Sequence, residues 1–202
     1  MSTSQYPIYV CDFLNQFSDM REIKYKQLNI DFHSVKHDNK ESDTIEFFDV
    51  FFGKYIDYVK INKNSSFMFI LKKISNYETI LCSVLNKFQN INIQFIIIDT
   101  KYKDNILDKN KDDFLCQYLY VYFQNHNSIM ISNDKYRDRQ TYIKKFQTQN
   151  IKTTVTVIQK LNKLIQKKSV IIKTDNIHIC NNILTREYKR TVIPKYKLKN
   201  IL

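Results

Sequence analysis

The stretch that decides the fold runs from Ser128 to Asp138 and reads Ser-Ile-Met-Ile-Ser-Asn-Asp-Lys-Tyr-Arg-Asp. It passes from a short apolar run into a polar heptapeptide that begins at Ser132. A short apolar run bounded by polar turn residues is typical of a buried strand. Active sites of open α/β sheets collect where strands end. The two carboxylates of the heptapeptide, Asp134 and Asp138, are therefore candidates for a site at a strand end.

Further strands and helices alternate along the chain around this stretch. The pattern predicts strands at Pro7 to Val10, Ser66 to Leu71, Ile93 to Ile98, Ile129 to Ser132 and Thr153 to Ile158. It predicts helices after Asp12, over Thr44 to Val59 with a break at Gly53, over Asn76 to Gln89, from Asp112 to Tyr122, and over Arg139 to Phe146, with a loop or short helices between Met20 and Ser42. Such alternation implies an α/β fold with a mostly parallel sheet covered by helices.

Length and composition suit one globular domain. The chain has 202 residues, of which 43% are hydrophobic and 26% charged, enough to bury a core. We expect one domain over residues 1–158 and a basic C-terminal extension over residues 159–202, packed on the domain or following it. Only one Gly is present, so we expect Asn to take backbone positions with positive φ, which it tolerates better than most residues.

The positive charge is concentrated in the last third of the chain. Residues 1–138 carry 17 Lys and Arg against 18 Asp and Glu, whereas residues 139–202 carry 15 against 2. A basic region beside an acidic cluster suits a protein that holds a polyanion with one part and cuts it at another. The alternative is a basic surface that serves only solubility.

Cysteine usage and hydropathy bear on the compartment. Cys11, Cys82, Cys116 and Cys180 are widely spaced, with no Cys-x-x-Cys motif, so we expect reduced, mostly buried thiols. Residues 1–7 lack the features of a signal peptide, and no apolar run reaches the roughly 20 residues of a membrane span. We expect a soluble cytoplasmic protein with no membrane partner, and the nucleus is the alternative.

Other carboxylate and amide side chains also stand where a predicted strand ends or a predicted helix begins. Asp12 and Asn15 come after the first strand, and Asp112 and Asp113 open a helix. In a parallel sheet all strands end on one edge, so these side chains can meet Asp134 there. Clustered carboxylates repel one another unless a cation compensates, and oxygen ligands suit Mg²⁺ or Mn²⁺. The sequence therefore predicts a metal-dependent phosphodiesterase.

These motifs resemble the PIN-like nucleases, and most closely the NYN branch that contains the Regnase-type endoribonucleases. The resemblance covers most of the chain from Pro7 to Phe146. It is carried by Asp12-x-x-Asn15, by Asp112-Asp113-Phe114, and by the heptapeptide from Ser132 to Asp138. It implies a three-layer α/β/α sandwich and Mg²⁺-dependent endonucleolytic cleavage of RNA that leaves a 5′-phosphate and a 3′-hydroxyl.

The resemblance also assigns roles to residues. Metal binding and water activation fall to Asp12, Asp113, Asp134 and Asp138, with Asp112 assisting and Asn15 orienting the site. Contacts to nucleic acid are expected from Lys135, Arg137, Arg139, Lys144, Lys145, Lys189 and Arg190, although an ion pair within the fold is the alternative for Arg137. The expected cofactor is Mg²⁺, with Mn²⁺ as the alternative. The expected partner is single-stranded or stem-loop RNA, and a homo-oligomer stays open.

Two departures from the family pattern stand beside the match. Phe13-Leu14 take the place of the usual Gly-Ser in the first motif. The chain also lacks the Cys-rich zinc finger that often follows Regnase-type domains, so the basic region after Arg139 would have to hold the RNA.

Other readings of the same residues remain. Asp134 and Asp138 could serve only as turn residues, and Asp12, Asp112 and Asp113 only as helix caps or first-turn residues. At the level of function, the alternatives are a catalytically inactive RNA-binding or assembly module with the same fold, and a DNA-directed PIN-type nuclease.

Overall fold

The fold was obtained as a computed structural model, which describes residues 6–35, 39–58, 60–73, 76–99, 111–123, 127–132, 169–173 and 190–191. The strands are β1 Ile8–Asp12, β2 Ser66–Lys72, β3 Asn92–Asp99, β4 Ile129–Ile131, β5 Ser169–Lys173 and β6 Arg190–Thr191. The helices are α1 Phe13–Gln27, α2 Lys40–Val50, a π-helical segment Phe51–Tyr55, α3 Ile56–Tyr58, α4 Tyr77–Lys87 and α5 Lys111–Tyr122.

The described strands form one sheet in the order β5-β3-β2-β1-β4-β6, and all its pairings are parallel. The prediction of an α/β fold with a parallel sheet is confirmed. Near the centre, β1 pairs with β2 from Ile8 opposite Ser66 to Asp12 opposite Ile70. On its other side β1 pairs with β4, with Cys11 opposite Ile131. The carboxyl ends of these strands therefore lie side by side.

Helices cover both faces of the sheet. The evidence is that residues on both faces of the strands are buried, but in different surroundings. Tyr9, Cys11 and Phe69 belong to one hydrophobic cluster with α1, α2 and α4. Val10 and Met68, which are also buried, stand outside that cluster and must face the opposite side, since strand side chains alternate. There α5 contacts β1, β2 and β4. The arrangement is compatible with a three-layer sandwich.

Aromatic side chains fill the first of these faces. Phe48 contacts Phe69 edge to face, with ring centroids 4.9 Å apart, and Phe13 stacks on Phe48 at 5.5 Å. The helix predicted over Thr44 to Val59 exists, but it begins at Lys40. The expected break at Gly53 is a π-helical segment, which keeps Phe51, Phe52 and Tyr55 buried.

Two other expectations concern turns and boundaries. Of the five described non-glycine residues with positive φ, four are Asn, at positions 29, 39, 76 and 127, so the expectation that Asn replaces Gly is confirmed. The expectation of a loop or short helices from Met20 onward is wrong as far as Gln27, because α1 continues to that residue. The helical spacing of buried residues in α1 is hard to recognise in the sequence, because one of them is the charged residue Arg21.

The region after Arg139 contributes to the sheet. Strand β5 pairs with β3 at one edge, and β6 pairs with β4 at the other. Both strands belong to residues 159–202, so part of the basic extension is integral to the sheet. The strand predicted at Thr153 to Ile158 and the helix predicted over Arg139 to Phe146 lie outside the described residues. Within the described ranges, no helix is long and apolar enough to cross a membrane.

A buried ion network joins α1 to α2. Arg21 Nε donates to Asp43 Oδ2 at 2.5 Å, Lys24 Nζ to Asp43 Oδ1 at 2.8 Å, and Tyr25 Oη to Asp43 Oδ2 at 3.0 Å. Asp43 has no exposed surface. Burial alone would raise the pKa of Asp43, but the hydrogen bonds from Lys24, Arg21 and Tyr25 outweigh it and lower the pKa. The network therefore holds the two helices together.

Asp43→Asn tests this network. It leaves the buried Arg21 guanidinium without its carboxylate, which should lower the free energy of unfolding by about 3–5 kcal/mol. Because the pKa of Asp43 is lower in the folded state than in the unfolded state, Asp43 stabilises the fold above the ordinary aspartate pKa. This stabilisation is lost as pH falls through the pKa that Asp43 has in the folded protein. Urea unfolding at several pH values should show this acid-labile component in the wild type and a smaller one in the variant.

The control is Asp57→Asn, which removes an exposed partner of Lys63. Exposed pairs contribute about 0–1 kcal/mol, so this variant should unfold like the wild type. Equal stability of the two variants would contradict the role given to Asp43.

Candidate carboxylate site at the sheet edge

Asp12 stands at the carboxyl end of β1 and connects two elements. It is the N-cap of α1, and its Oδ1 accepts a hydrogen bond from the backbone N of Asn15 at 3.4 Å. Its Oδ2 accepts a hydrogen bond from Ser132 Oγ at 2.7 Å. Only 3% of Asp12 is exposed. The capping role considered from the sequence is therefore present, and it occupies one carboxylate oxygen while the other oxygen contacts the residue after β4.

Helix α1 fixes the end of β4 through a second hydrogen bond. Gln16 Nε2 donates to the carbonyl oxygen of Ile131 at 2.5 Å, one residue before Ser132. Both Gln16 and Ser132 are buried. Asp12 at the end of β1 and Gln16 in α1 thus both bind the end of β4, at Ser132 and Ile131 respectively. The other six heptapeptide residues, including Asp134 and Asp138, lie outside the described part of the chain.

Asp112 and Asp113 lie in the first turn of α5, where carboxylates also complement the helix dipole. Asp112 is 7% exposed, and its Oδ1 lies 3.2 Å from Lys72 Nζ at the end of β2. Burial raises the pKa of Asp112, and the nearby Lys72 ammonium partly offsets the increase. Asp113 is partly buried. The ion pair places the start of α5 at the carboxyl edge of the sheet.

Cys116, one turn into α5, is a buried thiol whose pKa is affected by carboxylates of two elements. Burial raises the pKa of its thiol well above the ordinary value, and the negative charges of Asp12, Asp113 and Asp112 raise it further. Independently of this effect, Asp112 pairs with Lys72 at the end of β2, and β2 lies next to β1, which ends at Asp12. The structure therefore places the start of α5 and Asp12 at the same edge of the sheet, with Asn15 next to Asp12.

The oxygen ligands in this cluster fit a hard divalent cation. Carboxylates are the protein ligands that Mg²⁺ and Mn²⁺ prefer. Next to the cluster, Gln16 Oε1 is buried and has no hydrogen-bond partner among the described residues. Within the same residues, no group of three His, Cys, Asp or Glu side chains is arranged to hold a metal ion. Asp134 and Asp138, which are expected to complete the cluster, lie outside the described ranges.

The residues expected to contact nucleic acid are mostly outside the described part. This holds for Lys135, Arg137, Arg139, Lys144, Lys145 and Lys189. The exception is Arg190 in β6, whose backbone is in register with Met130. Arg190 thus occupies the strand next to β4, two positions before the level of Ser132.

Sequence reasoning missed two contributors to the site. The second strand was predicted to end at Leu71, so Lys72 is the polar residue that follows it. Asp12 was identified by the same signal, a polar residue that follows a predicted strand, but Lys72 was not considered. Gln16 carried no signal, because its bond to Ile131 joins residues that are 115 positions apart.

Phe13 occupies the position where the Regnase-type pattern has a small residue. Its ring stacks on Phe17 and Phe48 in the aromatic core, and only 3% of the residue is exposed. The large side chain is thereby accommodated inside the domain.

Comparison of the chain with protein-family models, with curated proteins and with solved structures finds no match. The geometry of the site and the motifs of the sequence therefore carry the functional argument.

Ser132→Ala tests whether the bond to Asp12 organises the site. The variant removes a hydrogen bond to a buried carboxylate, which should lower the free energy of unfolding by about 1–3 kcal/mol and reduce any catalysis that depends on Asp12. Chemical unfolding and a cleavage assay measure the two effects.

Ser128→Ala is the matched control at the opposite end of β4, where Ser128 Oγ donates to the carbonyl oxygen of Tyr120 at 2.6 Å. It should destabilise the protein comparably and leave catalysis of the remaining folded protein unchanged. A similar fall in catalysis in both variants would show that only stability is affected.

Proposed function

We propose that this chain is a metal-dependent endoribonuclease with the three-layer α/β/α architecture of the PIN-like nucleases, in their NYN branch. The observation that carries the proposal is the hydrogen bond between Ser132 and Asp12. It connects the first residue of the heptapeptide to the aspartate of the first motif, and Asp112 of the second motif pairs with Lys72 at the end of the neighbouring strand β2. The described parts of all three motifs thus meet at one edge of the sheet.

The residues of the cluster have separable tasks in this proposal. Asp12 is held rigidly by Ser132 and the α1 cap, which suits a ligand that must keep its geometry. Asp112 and Asp113 add negative charge from the first turn of α5. Asp134 and Asp138 would complete the cluster, and Asn15 would orient it. When bound, Mg²⁺ or Mn²⁺ would polarise the scissile phosphate and activate water.

The basic region would hold the RNA backbone. Its charge, 15 Lys and Arg against 2 Asp and Glu over residues 139–202, favours a polyanion. Strand β6 brings Arg190 next to β4, whose carboxyl end leads into the heptapeptide. Single-stranded or loop RNA is the expected substrate, because an exposed backbone can follow such a basic surface.

A second candidate is an RNA-binding module without catalytic activity. One contact favours it: Lys72 lies 3.2 Å from Asp112, so a side-chain cation already compensates part of the acidic cluster. In this case, metal would not be required for binding. The two candidates differ in cleavage and not in affinity for RNA.

Incubation of the purified chain with labelled single-stranded RNA, a stem-loop RNA and single-stranded DNA of the same sequence tests the proposal. We expect cleavage of RNA with Mg²⁺ or Mn²⁺, products with a 5′-phosphate, and no cleavage in EDTA. Asp12→Asn and Asp134→Asn should each reduce the rate by at least about 10²-fold, because both remove a metal-binding charge while preserving shape.

Asp57→Asn, which changes an exposed carboxylate of α3, is the control and should cleave like the wild type. Binding of RNA without cleavage would favour the inactive module, and preferential cleavage of DNA would favour the DNA-directed nuclease. Metal-dependent cleavage that persists in Asp134→Asn would refute the proposed site.

A further inference from the structure

Lys72 is a cation within the carboxylate cluster. It is the last residue of β2, and Asp12 of the neighbouring strand is in register with Ile70. Lys72 therefore lies two positions beyond the level of Asp12, at the edge where Asp112 and Asp113 begin α5. Its Nζ lies 3.2 Å from Asp112 Oδ1.

The burial of the two partners is unequal. The Asp112 side chain is 9% exposed and the Lys72 side chain 28%. A buried carboxylate needs a nearby positive charge, and Lys72 supplies one from the solvent side. A long lysine side chain keeps its apolar part on the protein surface while its ammonium moves, so this cation can be displaced without rearranging the sheet.

We propose that Lys72 is the internal counter-cation of the carboxylate cluster and competes with the divalent metal for Asp112. This inference rests on the proposed function, since it assumes that the cluster binds metal. In the absence of metal, the ammonium compensates the buried carboxylate. When metal enters, Lys72 leaves Asp112 for solvent or for a phosphate of bound RNA. Lys72 is thus a positioning residue that sets the metal concentration at which the site fills.

The competition has a defined signature in the variant Lys72→Gln. Without its counter-cation, Asp112 should destabilise the fold in EDTA, so the unfolding temperature should fall. Added MgCl₂ should then restore more stability than it gives the wild type. Removal of a competing unit charge at this distance should lower the half-saturating MgCl₂ concentration about tenfold.

The experiment measures thermal unfolding against MgCl₂ concentration, with calorimetric titration of MnCl₂ as an independent readout. Lys63→Gln is the matched control, because Lys63 precedes the opposite end of β2 and pairs with exposed Asp57 at 3.1 Å. It should keep the wild-type half-saturating concentration. Lys72→Arg retains the charge and can contact the carboxylate with two donors, so it should raise that concentration.

The outcomes separate the two proposals. If the wild type binds metal and Lys72→Gln has an equal or higher half-saturating concentration, the competition is refuted while the nuclease proposal stands. If no variant and no wild-type protein binds either metal, both fail. If Lys72→Gln folds only with MgCl₂, the metal replaces the lysine charge, which supports the inference. If it does not fold at all, Lys72→Arg decides: an unchanged or lower half-saturating concentration refutes the competition.

Discussion

The parallel pairing of β1 between β2 and β4 is the constraint on which the rest of the structure depends. Because β1 runs parallel to both neighbours, Asp12, Lys72 and Ser132 leave the sheet at the same edge although they are far apart in sequence. The hydrogen bond from Ser132 to Asp12 then fixes the distance between two of these chain segments. A slip of one residue in either register would turn each strand side chain to the other face and separate the motifs.

Asp43 and Asp112, two of the buried carboxylates in the described part of the chain, have different surroundings. Asp43 receives hydrogen bonds from Arg21, Lys24 and Tyr25, which lower its pKa and make it a structural ion. Asp112 has a raised pKa, because burial outweighs the compensation that Lys72 provides. Titratable groups with perturbed pKa values are found more often at functional sites than elsewhere. This contrast is the reason why we assign Asp43 to helix packing and propose that Asp112 takes part in metal binding.

Much of the sheet could be predicted from the sequence, because its strands are short apolar runs bounded by polar residues. Four of the five predicted strands are present, and the fifth lies outside the described residues. The length of α1 could not be predicted, since buried Arg21 appears polar in the sequence and its burial depends on partners from other segments, Asp43 and Val35. Asp12 was identifiable from its position after a strand. Lys72 offers the same signal at the end of β2, but its pairing with Asp112 depends on the strand order. Gln16 offers no signal, because its partner Ile131 is distant in sequence.

The most direct measurement of the central claim is a crystal structure with Mn²⁺, in which anomalous scattering locates the metal. The account predicts a metal at the carboxyl edge of β1 and β4, bound by Asp12, by Asp112 and Asp113 of α5 and by Asp134 from the heptapeptide, with oxygen ligands at roughly 2.0–2.2 Å. It also predicts that the Lys72 ammonium no longer contacts Asp112. A metal bound elsewhere, or Asp134 and Asp138 directed away from Asp12, would contradict the account.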